Sequence, residues 1–112
     1  MGIIQGSNVP IVIEFDENIE NLPVIIITLW CDEMIYRGDP LKMWNKEDIT
    51  VSNNMAVCPI TEDETAKLPA APLVMEVKGL DENGKTVFWK EYEVDVVARR
   101  DRNIKLTRQG SG

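Results

Sequence analysis

The sequence predicts an all-β protein: an antiparallel, Ig-like β-sandwich of about seven to eight short strands with one short helix. An open barrel is the alternative closure. Three observations carry this. Asn83-Gly84 separates two runs that alternate apolar and polar residues, 73–78 and 87–96. Asn-Gly tolerates the positive φ required at both centres of a type I′ turn, which makes it the strongest short-range hairpin signal. Val24 to Cys31 is a nearly unbroken run rich in β-branched residues, as in a central strand covered on much of both faces, although periodicity alone leaves a buried helix open. Turn signals recur roughly every 8–12 residues, the spacing of a sandwich.

Pairing outward from Asn83-Gly84 sets Gly79 opposite Phe88, Met75 opposite Tyr92 and Leu73 opposite Val94. Those residues share a dry face. Glu76, Trp89, Glu91, Glu93 and Asp95 share the wet one, and Lys90 breaks the dry pattern. Earlier in the chain, Val9, Ile11, Ile13 and Phe15 alternate with Pro10, Val12 and Glu14, the pattern of a half-buried strand. The segments 34–37 and 41–44 flank Gly38-Asp39-Pro40 and read as short edge strands around a turn. The segments 49–52 and 55–58 flank Asn53-Asn54, a second two-residue hairpin that sets Val51 opposite Ala56 and points Cys58 inward. Thr61 and Glu64 have capping-box spacing, so a helix is expected over about 62–68, ended by Pro69, with Leu68 plugging one end of the core. The predicted core is Ile11, Ile13, Phe15, Ile25, Ile27, Leu29, Val51, Cys58, Met75, Val77, Phe88 and Val94.

With 112 residues, 44% of them hydrophobic, the chain suffices for one domain and one core. The domain is expected over residues 1–98, followed by a basic C-terminal edge strand or linker over 99–112. The apolar run from Leu22 to Cys31 is too short to span a bilayer as a helix, and no basic region with an apolar core marks a secretory signal. Cys31 and Cys58 are expected as reduced core residues, since an Ig-type disulfide spacing is not matched and a domain of this size does not need a bridge. The charge is bipolar. Residues 1–98 hold 7 Lys/Arg against 18 Asp/Glu, and residues 99–112 hold 5 against 1. An acidic body repels nucleic acid, so neither nucleic acid nor membrane is expected as a partner.

No catalytic signature stands out, and neither an enzyme nor a cofactor is expected. Histidine is absent, which removes the commonest general base and metal ligand. Cys31 sits in an apolar run, where a thiol is not activated. The acidic groups around Asp16, Glu62 and Asp81 offer hard oxygen ligands without the spacing of a calcium loop, and solvated turns explain them. Glu91, Glu93 and Asp95 read as a solvated face rather than a carboxylate pair for hydrolysis.

Two features point to interaction instead. The first is aromatic: Trp30, Trp44 and Trp89 lie on strands near sheet faces or edges, either covering the second face of a twisted sheet or forming a protein or glycan contact. The second is the basic end, with Arg99, Arg100 and Arg102. It reads as a linker or edge strand, or as a segment that docks on the acidic surface of a neighbouring copy.

The segments 3–8 and 10–15, Trp44-Asn45-Lys46-Glu47-Asp48-Ile49, Thr61-x-x-Glu64-Thr65, 84–88 and Arg99-x-Asp101 resemble small prophage-encoded β-sandwich proteins. The layout is similar to the N-terminal module of phage upper baseplate proteins. The resemblance covers roughly residues 3–108. It implies a structural, virion- or tail-associated role through self-association or contacts with other phage structural proteins. The implied location is the bacterial cytoplasm before assembly and the virion afterwards. It supplies no catalytic residues.

Overall fold

The computed structural model describes residues 2–31 and 38–98. Among these residues eight strands run in the order β1 (Gly2–Ile4), β2 (Ile11–Glu14), β3 (Val24–Cys31), β4 (Lys42–Asn45), β5 (Thr50–Ser52), β6 (Met55–Cys58), β7 (Leu73–Leu80) and β8 (Thr86–Val97), with one α-helical turn, α1 (Glu62–Ala66), between β6 and β7. They form a five-stranded sheet, β1-β8-β7-β3-β4, and a three-stranded sheet, β2-β6-β5. Taken as B through G, strands β2 to β8 give the Ig-like order G-F-C-C′ over B-E-D. The expected all-β sandwich is therefore the fold. One pairing departs from the antiparallel pattern, because β1 runs parallel to β8, with Ile3 beside Val96.

The β7–β8 hairpin has the expected register: Gly79 faces Phe88, Met75 faces Tyr92 and Leu73 faces Val94. Its turn differs from expectation. Gly84 has φ 79°, whereas Asn83 does not take a positive φ. The reason is Asp81. Its carboxylate accepts from the backbone N–H of Asn83 at 2.9 Å and of Lys85 at 3.0 Å, and its carbonyl accepts from Gly84 N–H at 3.0 Å. These bonds hold a longer turn that needs one left-handed residue, supplied by glycine. A bulge at Gly79/Leu80 absorbs the difference and returns the ladder to register. The second hairpin is a two-residue loop with Asn53 at φ 54°, and Val51 faces Ala56 as expected.

The core lies between the sheets. Ile11, Ile13 and Phe15 from one sheet meet Ile25, Ile27, Leu29, Met75, Val77, Phe88 and Val94 from the other, all buried. Phe15 stands edge-on to Phe88 at 5.4 Å between ring centres. Each fully buried aliphatic side chain contributes roughly 1.5–3 kcal/mol of transfer free energy. Cys58 is also buried, and Val51 packs on the core from its margin. Val9, expected on the dry side, is instead 67% exposed, because regular strand structure begins only at Ile11. Lys90 lies at the rim of the dry face, its amine 3.9 Å from an exposed Asp16 carboxylate, a contact that contributes little.

The helical turn ends at Ala66, short of the expected 68. Its capping box is present: Thr61 Oγ1 accepts from Glu64 N–H at 3.2 Å, and Thr61 N–H donates to Glu64 Oε1 at 2.9 Å. Buried Thr65 donates to the Ser7 carbonyl at 2.7 Å, and the Gln5 amide donates to the Leu68 carbonyl at 2.7 Å. These bonds tie the turn to the N-terminal segment, with Leu68 in the core. The edge strand expected over 34–37, Arg99, Arg100, Arg102 and the rest of the 99–112 segment lie outside the described residues.

Gly79 sits inside a strand where two neighbours press on it. A Cβ there would stand 2.5 Å from Leu22 Cδ1 and 3.2 Å from Phe88 Cβ. Leu22 can swing aside, but Phe88 Cβ is anchored by its backbone. Gly79→Ala should therefore cost about 1–2 kcal/mol by overpacking. Urea denaturation reads this as a lowered midpoint, and an unchanged midpoint would contradict the packing described.

Candidate interaction face

The outer face of the five-stranded sheet brings together most of the wet-side residues that the sequence singled out. Cross-strand pairing sets Thr28 beside Glu76, Trp30 beside Val74, and Ile26 beside Lys78. The next strand sets Glu91 beside Glu76, Trp89 beside Lys78, and Glu93 beside Val74. Met43 lies beside Thr28 on the far strand.

Glu76 links the two outward tryptophans. Its Oε2 accepts from the Trp89 indole N–H at 2.9 Å. Its Oε1 lies 3.5 Å from Thr28 Oγ1, the long limit for a hydrogen bond. Thr28 Oγ1 in turn accepts from the Trp30 indole N–H at 2.6 Å. Trp30 is half-buried, and Thr28 is 7% exposed although it points away from the core. Trp30 thus covers part of the second sheet face, as in one of the two readings of the aromatics. Trp89 does not: it is 52% exposed, and Ile4, Val24, Met43 and Val97 are exposed apolar residues of the same face. A shallow cleft of about 340 Å³ lined by Pro72, Leu73, Val74, Glu93 and Asp95 opens toward the Val97 end of the face.

Trp44 is not an interface residue. It pairs with Ile27 on the inward side of β4, is 1% exposed, and donates its indole N–H to the Pro59 carbonyl at 2.8 Å. Lys42 shares that side of the strand and obscured it in the sequence, because a lysine marks a wet face. The lysine snorkels: its stem runs along the sheet while its amine sits 5.7 Å above the Trp44 ring and pairs with the Glu64 carboxylate. A small cavity of about 190 Å³ lies there, between Leu41, Lys42, Ile60, Glu64, Lys67 and Leu68, below the usual size of a ligand pocket. The Lys42 bond, and then the Thr61 N–H, hold the Glu64 carboxyl below the ordinary glutamate range.

Among the described residues, no three His, Cys, Asp or Glu side chains stand together as a metal site. Both cysteines are buried and free, and burial pushes the Cys58 thiol up to about 12. No family model matches the chain, and no curated protein or solved structure matches it significantly.

Two predictions follow from these placements. Trp44→Ala should cost about 3–5 kcal/mol, whereas Trp89→Ala should stay within about 0.5 kcal/mol of the parent; equal costs in chemical denaturation would contradict the assignment of one tryptophan to the core and the other to the surface. The Glu64 carboxyl gives the second. Its folded value is depressed, so its contribution to stability is full above the ordinary glutamate range, near about 4.3. That contribution is lost as pH falls through the folded value. Glu64→Gln should flatten this part of the stability–pH curve, and an unchanged slope would show that Glu64 carries none of it.

Proposed function

We propose that this protein is a non-enzymatic interaction module that works in assembly, through the outer face of its five-stranded sheet. The observation that carries the reading is Trp89, an indole held by Glu76 yet half open to solvent. A fixed aromatic with the Glu76 and Glu91 carboxylates and Lys78 around it, on a sheet face that also exposes Met43, has the composition of a contact centre with a charged rim. Orienting the ring before binding lowers the entropy cost of ordering it in a complex. The resemblance to prophage β-sandwich proteins adds the setting: a tail- or baseplate-associated structural protein whose partners are other phage structural proteins or further copies of itself.

A second reading rests on the same pair. An indole beside carboxylate acceptors is also a platform for a sugar ring or a peptide. Trp30 and Trp89 would then report a small ligand by fluorescence, independently of protein concentration.

Co-expression with the products of neighbouring genes tests the first reading. It should yield a defined complex or a self-assembled species by light scattering, lost in both Trp89→Ala and Glu91→Lys. A complex indifferent to both substitutions, or a monomer with no partner in any condition, would overturn it.

A further inference from the structure

We infer that the outer sheet face accepts a basic, extended segment, and that residues 99–112 of a second copy supply it; this rests on the reading of that face as a contact surface. The face selects its partner by charge. Glu76, Glu91, Glu93 and Asp95 all project from it, with Lys78 as the cation among them, so two such faces set against each other would repel, which disfavours a face-to-face dimer. The complement lies in the same chain: Arg99, Arg100, Arg102, Lys105 and Arg108 fall within fourteen residues that hold one acid, Asp101.

The periodicities also agree. On β8, Glu91, Glu93 and Asp95 alternate with the inward positions Val94 and Val96, which spaces neighbouring carboxylates about 6–7 Å apart. An extended segment presents alternate residues to one side, here Arg100, Arg102, Ile104, Leu106 and Arg108. Its arginines match the carboxylates of the cleft at Val74, Glu93 and Asp95, and, laid back along β8 from that end, its aliphatic pair falls toward Trp89. Guanidinium groups suit both surfaces, since they fork onto carboxylates and stack on indoles.

Supply from a second copy follows from the course of β8. The strand ends at Val97, at the opposite end of the face from Trp89, so a segment that continues in the direction of β8 leads away from Trp89 of its own chain and toward a neighbour. Exchanged reciprocally, the segments close a two-fold pair; passed on in one direction, they build a ring or a filament.

Paramagnetic broadening in mixed samples of the full chain tests this. One population carries a nitroxide through Thr107→Cys at natural isotopic abundance; the other is the isotope-labelled parent chain. At about 50 mM salt the Trp89 indole resonance of the labelled population should lose intensity, and at about 500 mM salt, where exposed charges are screened, recover it. Arg100→Ser with Arg102→Ser in the spin-labelled chain should abolish the loss. Three outcomes overturn the inference: no loss in the mixture, a loss unaffected by salt and by the arginine substitutions, or a loss seen only when nitroxide and isotope share one molecule. If the mixture shows no loss while Trp89→Ala still dissolves a complex, this inference alone fails. If Trp89→Ala changes nothing, the contact surface itself is refuted.

Discussion

The register of the β7–β8 hairpin is the constraint on which the rest of the molecule depends. The side-chain period of a strand is two, so a slip of one residue would exchange its faces. In the observed register Phe88, Val94 and Val96 enter the core while Trp89, Glu91, Glu93 and Asp95 stay outside. β7 carries that choice to β3 through a ladder from Val24–Leu80 to Cys31–Leu73, and β8 carries it to β1. The Asp81 turn and the bulge beside Gly79 therefore position residues on four strands. Gly79 accepts a contact with Leu22 and Phe88 that leaves no room for a side chain.

The same register builds the outer face. Glu76 lies beside Glu91 on the neighbouring strand, an unfavourable pairing of like charges. Two indole N–H groups offset it, one bonded directly to Glu76 and one through Thr28. The carboxylate thus fixes aromatic rings at a surface of mixed charged and exposed apolar residues. One ring, Trp30, covers the sheet and buries Thr28; the other, Trp89, remains available. That division of labour within one hydrogen-bonded chain supports reading the face as a contact surface and not merely as the wet side of a sandwich.

Much of the fold was legible because local signals agreed with one another. The alternation in 73–78 and 87–96 carried the register even though the turn type at Asn83-Gly84 did not hold, since a bulge can absorb a change of loop length. The Thr61–Glu64 capping box and the inward aim of Cys58 were readable for the same reason: each depends on spacing within a few residues. What escaped the sequence depends on contacts far apart in the chain. The pairing of β1 with β8 joins the two ends of the described fold, and three residues give no periodic signal. Trp44 was misplaced because Lys42 shares its side of the strand, and only the fold shows that this lysine reaches out to Glu64. The role of Glu76 was equally hidden, for it arises from three strands that meet only in the sheet.

A nuclear Overhauser spectrum of the β7–β8 ladder reads this register directly. Backbone contacts are expected between Met75 and Tyr92 and between Leu73 and Val94, together with close approach of the Trp89 indole proton to the Glu76 side chain. Contacts displaced by one residue, such as Met75 with Glu91, would place Trp89 inside and the acidic stripe in the core. That result would contradict both the fold and the interaction face built on it.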